Sequence, residues 1–160
     1  MQKIQLITVG GLKEAYLRQA AAEYQKRLAP LCALETLEIR EARLPADPSP
    51  AEIARALEAE GRDILRAVPP GNLLVALCIE GRQMPSERFA AWLQKAAVEG
   101  ARGVSFVIGG SFGLAPAVKT AAALRLSVSE MTFPHQLFRV MLLEQLYRAY
   151  SILAGAKYHK

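Results

Sequence analysis

At 160 residues, 52% hydrophobic and 22% charged, the chain has the length and balance of one globular domain around one core. No apolar run reaches the ~18 residues of a membrane span, and Met1-Gln2-Lys3-Ile4 enters a strand-like pattern with no apolar leader, so neither a membrane partner nor secretion is expected. The net charge of +5 sits in one part of the chain: residues 1–100 hold 13 basic and 13 acidic side chains, whereas residues 101–160 hold Arg102, Lys119, Arg125, Arg139, Arg148, Lys157 and Lys160 against Glu130 and Glu144, which points to an anionic partner, nucleic acid first.

The first element is a strand over Lys3–Gly10, closed by the Gly10-Gly11 turn. Lys13–Leu28 reads as a helix, with Ala15, Leu17, Ala20 and Tyr24 set among charges. Leu34–Ile39 is a second short strand, and Arg43–Pro50 is a proline-rich loop. Ser49-Pro50-Ala51-Glu52 is a helix start, with serine as N-cap, proline at the first helical position and glutamate three after the cap. That helix runs to about Ala67, where Pro69-Pro70-Gly71 breaks it. Asn72–Ile79 is nearly continuous in apolar residues, the pattern of a parallel strand covered on both faces, with Glu80-Gly81 as its exit turn. Ser86–Glu99 is a helix ended by Gly100, and Val104–Ile108 is another buried strand. A short helix over Ala115–Ala122 and a last strand over Leu124–Val128 lead to the long helix Pro134–Ala154, which Gly155 ends.

Alternating strands and helices specify an α/β fold: a mostly parallel sheet with helices on both faces, forming one domain over 1–160. The final helix is apolar around most of its girth and leaves a narrow polar strip at Glu144, Arg148 and Ser151, on which Glu144 and Arg148 are spaced to pair. Such a helix is either central in the monomer or covered by a second subunit, and symmetric pairing is the commonest kind.

Ligand sites in open α/β sheets lie at the carboxyl ends of strands, which here are the loops after Ile79, Ile108 and Val128. Gly109, Gly110 and Gly113 either let a ligand approach the backbone or serve a tight turn, and their number does not decide between the two. The dinucleotide and phosphate-loop glycine patterns are absent, and no His/Cys/Asp/Glu cluster has metal-ligand spacing, so no metal is expected. Ser111 lacks the Gly-x-Ser-x-Gly elbow of a serine hydrolase. Cys32 and Cys78 are read as buried, reduced thiols of a cytoplasmic protein. His135 follows Pro134 at a helix start, where capping or packing suits it better than catalysis. Tyr158-His159-Lys160 offers a ring, an imidazole and a cation, which suit an unstacked base and its phosphate unless the end is simply frayed.

Several of these stretches resemble one family. Phe-Val-Ile-Gly-Gly-Ser-Phe-Gly-Leu (106–114) and Leu-Ser-Val-Ser-Glu-Met-Thr-Phe-Pro-His-Gln-Leu (126–137) are similar to motifs of the RlmH ribosomal RNA methyltransferases, members of the SPOUT superfamily. So are Ile7–Lys13, Arg139-Val140, Glu144–Ala149 and the terminal Tyr158-His159-Lys160. The resemblance implies a C-terminal trefoil knot, which no composition could show. It also implies a homodimer joined largely through the final helix, and S-adenosyl-L-methionine as methyl donor. The implied donor site is Leu77, Gly109 and the loop of Val128, Ser129, Glu130, Met131, Thr132 and Phe133. The implied reaction is methylation of N3 of a pseudouridine in helix 69 of 23S rRNA on the assembled ribosome.

That reaction needs alignment and the loss of one imide proton. His159 is therefore expected as base or proton relay, Arg139 as stabiliser of the anion, and Tyr158 as holder of the nucleotide. Arg148, Lys157 and Lys160 are expected against phosphates. The tail of one subunit is expected to serve the other's cofactor pocket. Glu130 stands where the family often has lysine or a small residue, and Lys157 where it usually has proline. The rival readings are another SPOUT enzyme acting on transfer RNA and a non-catalytic ribosome-assembly factor.

Overall fold

The computed structural model describes residues 1–159. Five strands, β1 (Lys3–Val9), β2 (Ala33–Ile39), β3 (Asn72–Arg82), β4 (Gly103–Ile108) and β5 (Leu124–Leu126), form one sheet in the order β2-β1-β4-β3-β5. Every pairing between them is parallel. The helices are α1 (Ala15–Leu28), α2 (Pro50–Ala67), α3 (Ser86–Val98), α4 (Pro116–Ala121) and α5 (His135–Leu153).

Alternation along the strands sends side chains to two separate cores. Ile4, Leu6, Val75, Val104 and Phe106 pack with residues of α1, α3 and α5. Ile7, Val9, Leu74, Ala76 and Val107 pack with residues of α2 and α4. Because both faces are covered, β4 is buried at all six positions, which is why its sequence does not alternate. The α/β architecture expected from the sequence is the one observed.

Local signals set the boundaries. Ser49 Oγ accepts the Glu52 backbone N–H (3.1 Å), and the Glu52 carboxylate accepts the Ser49 N–H (3.2 Å), so the capping box at the start of α2 is complete. Gly61, in mid-helix, is a packing glycine: a Cβ there would stand 2.9 Å from Ala115 Cβ, at the entry to α4.

Two strand ends differ from expectation. Glu80-Gly81 is not the exit turn of β3, which continues to Arg82 and, past an irregularity, pairs Arg82 with Leu126. The extension needs glycine, because a Cβ at Gly81 would lie 2.8 Å from backbone carbons of Arg125 and Leu126. β5 stops at Leu126, two residues early, where Ser127 donates its N–H to Arg82 O (3.0 Å) and the chain turns into a loop.

α5 lies against both α1 and α3. Leu142, Leu143, Leu146, Ala149 and Tyr150 are buried, while Leu137 and Leu153 each stay 37% exposed. Much of the helix's apolar girth is therefore covered within one chain. The Glu144–Arg148 pair forms as spaced (2.6 Å), and Ser151 is buried and donates to Tyr147 O (2.8 Å).

Candidate active site

The carboxyl ends of β3 and β4 and the loop after β5 open onto one cavity of about 730 Å³, a size that suits a small organic ligand. Leu77, Cys78, Ile79 and Glu80 form one wall, Ile108–Leu114 a second, and Ser127–Ser129 with Met131–His135 a third. Of the residues expected to hold a cofactor, Leu77, Gly109, Val128, Ser129, Met131, Thr132 and Phe133 line this cavity. Glu130 does not: Met131 N–H bonds to Ser129 Oγ (2.9 Å), and the resulting turn leaves Glu130 exposed.

The glycine loop is a tight turn before it is anything else. Gly113 has φ +82° and donates its N–H to Gly110 O (3.1 Å). A Cβ at Gly109 would lie 2.3 Å from Gly113 O, so the two backbone segments come together only because residue 109 has no side chain. The turn thereby presents peptide groups along one wall. The opposite loop is fastened from within, by Ser127 Oγ donating to Ser129 O (3.0 Å) and by the Ser127 N–H bond to β3.

Charge enters the cavity at one point. Lys119 Nζ pairs with the Glu80 carboxylate, and that contact holds the Glu80 carboxyl below its ordinary range. Burial raises the neighbouring Cys78 thiol, with Glu80 adding to the effect, so Cys78 stands in the wall as a neutral thiol. It is half-buried, unlike the fully buried Cys32.

Sequence reasoning passed over several lining residues: Cys78, Ile79, Glu80, Phe112, Lys119, His135 and Phe138. His135 does not cap α5. The N-cap is Pro134, which has no side-chain cap bond, and His135 faces the cavity as the first helical residue. Its position directly after the loop that follows β5 was the available signal.

The expected catalytic residues lie outside this cavity. Tyr158 rests on α5: its hydroxyl donates to Glu144 Oε1 (3.2 Å), its ring meets Tyr147 edge-on at 4.7 Å, and the Arg148 guanidinium lies 4.8 Å from its centroid. His159 Nε2 is 2.7 Å from Glu87 Oε1 on α3, and Nδ1 is 3.3 Å from Arg148 Nη1. Arg148 is also held by Glu144, through Nε (3.1 Å) and Nη2 (2.6 Å). Arg148 is thus an internal organiser of the tail as well as an expected phosphate contact.

Arg139 is 7% exposed, with Nη2 3.7 Å from Glu38 Oε1 and with Nε and Nη1 lacking any partner among the described residues. Lys157 is exposed, and the expectation for Lys160 lies outside the described residues. Among the described residues no helix is long and apolar enough to cross a membrane, and no group of three or more His, Cys, Asp or Glu could hold a metal ion.

This geometry accords with what the chain is similar to. A family model described as "Predicted SPOUT methyltransferase" matches residues 2–159. A protein of Streptococcus sanguinis (strain SK36) called "Ribosomal RNA large subunit methyltransferase H" is 46% identical over 158 residues, 99% of each chain. Proteins with the same name from Exiguobacterium sibiricum (46%, covering 99% of each chain) and Clostridium beijerinckii (43%, covering 98% of this chain and 99% of the relative) match as fully. In fold, the chain is similar to the "Crystal Structure of Probable Methyltransferase from Bordetella pertussis Tohama I", with a TM-score of 0.61, 16% identity, and coverage of 93% of this chain and 95% of that one. A parallel sheet ending in three loops around one cavity, and a family match from residue 2 to residue 159, lead to one conclusion: this chain belongs to the SPOUT methyltransferase family.

Proposed function

We propose that this protein methylates N3 of a pseudouridine in helix 69 of 23S ribosomal RNA, on the assembled ribosome, using S-adenosyl-L-methionine. One observation carries the reading. The cavity is walled by peptide-rich loops in a chain that is 46% identical, over 99% of its length, to proteins called "Ribosomal RNA large subunit methyltransferase H".

The lining fits the donor. Leu77, Ile79, Val128 and Phe133 offer apolar surface for a ring, and the glycine turn offers backbone groups to its polar edge. The Glu80–Lys119 pair offers both signs of charge to an ammonium and a carboxylate. When bound, the donor supplies an electrophilic methyl on a sulfonium, so the protein's share of the work is alignment and proton removal.

In this proposal the cavity holds the donor, and Tyr158 and His159 arrive from the other subunit of a homodimer. The tail's position on its own α3 and α5, away from its own cavity, supports that arrangement. So does the uncovered apolar surface around the cavity mouth, where Met131 is 75% exposed beside Ile79, Phe112 and Phe133, together with Leu137 and Leu153 on α5. His159 takes the N3 proton, and Tyr158 holds the nucleotide. Arg139 brings two unengaged donors to the imide anion. Arg148, Lys157 and Lys160 meet phosphates. The trefoil knot belongs to the same proposal; its support is the close approach of Gly81 to the backbone of Arg125 and Leu126.

The test is transfer from labelled adenosylmethionine to ribosomes of a deletion strain, with the product located by mass spectrometry of helix 69. Label at N3 of a single pseudouridine is expected. Ribosomes that already carry the mark without this protein, or label elsewhere, refute the reading. Mixed dimers, one subunit lacking the tail and the other carrying a disabled donor loop, should regain activity if the tail works across the interface.

A further inference from the structure

The function proposed above gives Glu87 no part, yet this carboxylate makes the shorter of the two polar contacts to the tail's imidazole (2.7 Å). Around it runs a chain of hydrogen bonds, closed into a ring by the peptide bond between Ser86 and Glu87. Ser86 Oγ donates to Gln145 Oε1 (2.8 Å), joining the start of α3 to α5. Gln145 Nε2 donates to Glu144 Oε2 (2.8 Å). Glu144 Oε1 accepts from Arg148 and from Tyr158, Arg148 Nη1 reaches His159 Nδ1, and His159 Nε2 returns to Glu87. The tail is thereby seated between two helices by named partners.

The ring fixes a tautomer. An ionised carboxylate only accepts, so Nε2 carries the hydrogen that meets Glu87. A guanidinium only donates, so Nδ1 presents its lone pair to Arg148. Glu87 is the second residue of α3, where unpaired backbone N–H groups and the helix dipole favour negative charge. Its own backbone N–H and then His159 hold its carboxyl below the ordinary range.

We infer that Glu87 is a positioning residue for methyl transfer: it holds the Nε2–H of His159 so that Nδ1 is the proton acceptor. The inference rests on the proposed function. In the step concerned, the N3–H bond of the imide breaks and the proton passes to Nδ1; N3 keeps the electron pair, which would form the N–CH3 bond as the donor's S–CH3 bond broke and its pair stayed on sulfur, leaving a neutral thioether. Arg148 yields Nδ1 to the substrate, giving up its longer contact, while Glu144 keeps its double grip on the guanidinium. Among the described residues, the charged and titratable groups around His159 are Glu87 from α3, Glu144 and Arg148 from α5, and Tyr158 in the tail. The arrangement is that of a base oriented by a carboxylate behind it.

Two measurements on the full-length protein test this. The chain has only His135 and His159, so ring-nitrogen NMR separates them, with His159→Ala as the assignment control. Neutral His159 is expected as the Nε2–H tautomer in the wild type and as a mixture in Glu87→Gln. In steady-state methylation of ribosomes, Glu87→Gln should lower the plateau rate about tenfold, a fraction of what a whole general base supplies. Glu87→Asp, which keeps the charge, should keep the Nε2–H tautomer and recover most of the rate, and calorimetry should find donor affinity unchanged in both. An undiminished plateau in Glu87→Gln overturns the assignment, as does a tautomer unchanged from the wild type. A wild-type protein that methylates no ribosome defeats the proposed function instead, and the role of Glu87 with it.

Discussion

Gly109 and Gly113, in the cavity's turn, separate a conformational requirement from a steric one. Gly113 has φ +82° but open space where a side chain would go. Alanine there should cost only the left-handed backbone penalty, about 1 kcal/mol. Gly109 has an unexceptional φ, but its Cβ would stand 2.3 Å from Gly113 O and 2.6 Å from Gly113 C. No rotamer change relieves an overlap between Cβ and backbone, so the turn itself must move. Forced overpacking costs about 1–3 kcal/mol, and here the displaced atoms are the wall of the cavity. If that cost is felt in binding, Gly109→Ala weakens adenosylmethionine about 10- to 100-fold, at 1.4 kcal/mol per decade. Gly113→Ala should change affinity about fivefold at most and lower the melting temperature by about 2–4 °C. Calorimetry with adenosylhomocysteine and thermal melts of both variants decide the matter. Affinity in Gly109→Ala within twofold of wild type, or a larger loss in Gly113→Ala, would refute the reasoning.

Three other outcomes follow from single residues. Leu146 is fully buried in the core shared by α1, α3 and α5, so Leu146→Ala should lose about 2–5 kcal/mol in urea unfolding, whereas Leu153→Ala, at an exposed position, should lose far less from the monomer. Burial pushes the Cys32 thiol up from 9.0 to about 11, so between those values the unfolded chain ionises where the folded one stays protonated. Stability should therefore fall as pH rises through that window, and Cys32→Ala should flatten the fall; parallel pH–stability curves would contradict this. Lys157→Ala should weaken RNA binding at low salt and reduce the slope of log affinity against log salt by about 0.7, read by titration at several salt concentrations.

The layers of the fold were legible because they rest on local rules. The unbroken apolar runs at 72–79 and 104–108 mark strands covered on both faces, and the Ser49–Glu52 box marks the start of α2. The extension of β3 was not legible. Glu80-Gly81 has the composition of a turn, and only the arrival of β5 from more than forty residues downstream makes Gly81 a strand residue. Gly61 hid in the same way, since a mid-helix glycine reads as a weakness until the neighbour that fills its gap, Ala115, is in place. In both cases the residue answers to a contact distant in sequence, which periodicity cannot register.

The site divides along the same line. Strand ends identified the three loops, so the cavity's backbone walls were foreseeable, while Lys119 of α4 enters it by tertiary placement. The polar strip on α5 was visible as Glu144, Arg148 and Ser151, but its use was not. A strip on a mostly apolar helix suggests solvent. Here Ser151 is buried, and Glu144 with Arg148 is the bed on which Tyr158 and His159 lie. A residue pair spaced for a modest helix contact of about 0.2–0.5 kcal/mol therefore does more than stabilise α5. Glu144 Oε1 accepts from Arg148 and from the Tyr158 hydroxyl at once, and the pairing leaves Arg148 Nη1 for His159, so the strip meets successive residues of the tail. The tail takes its order from the strip, which is the physical reason that residues so near the chain's end can hold a defined geometry instead of fraying.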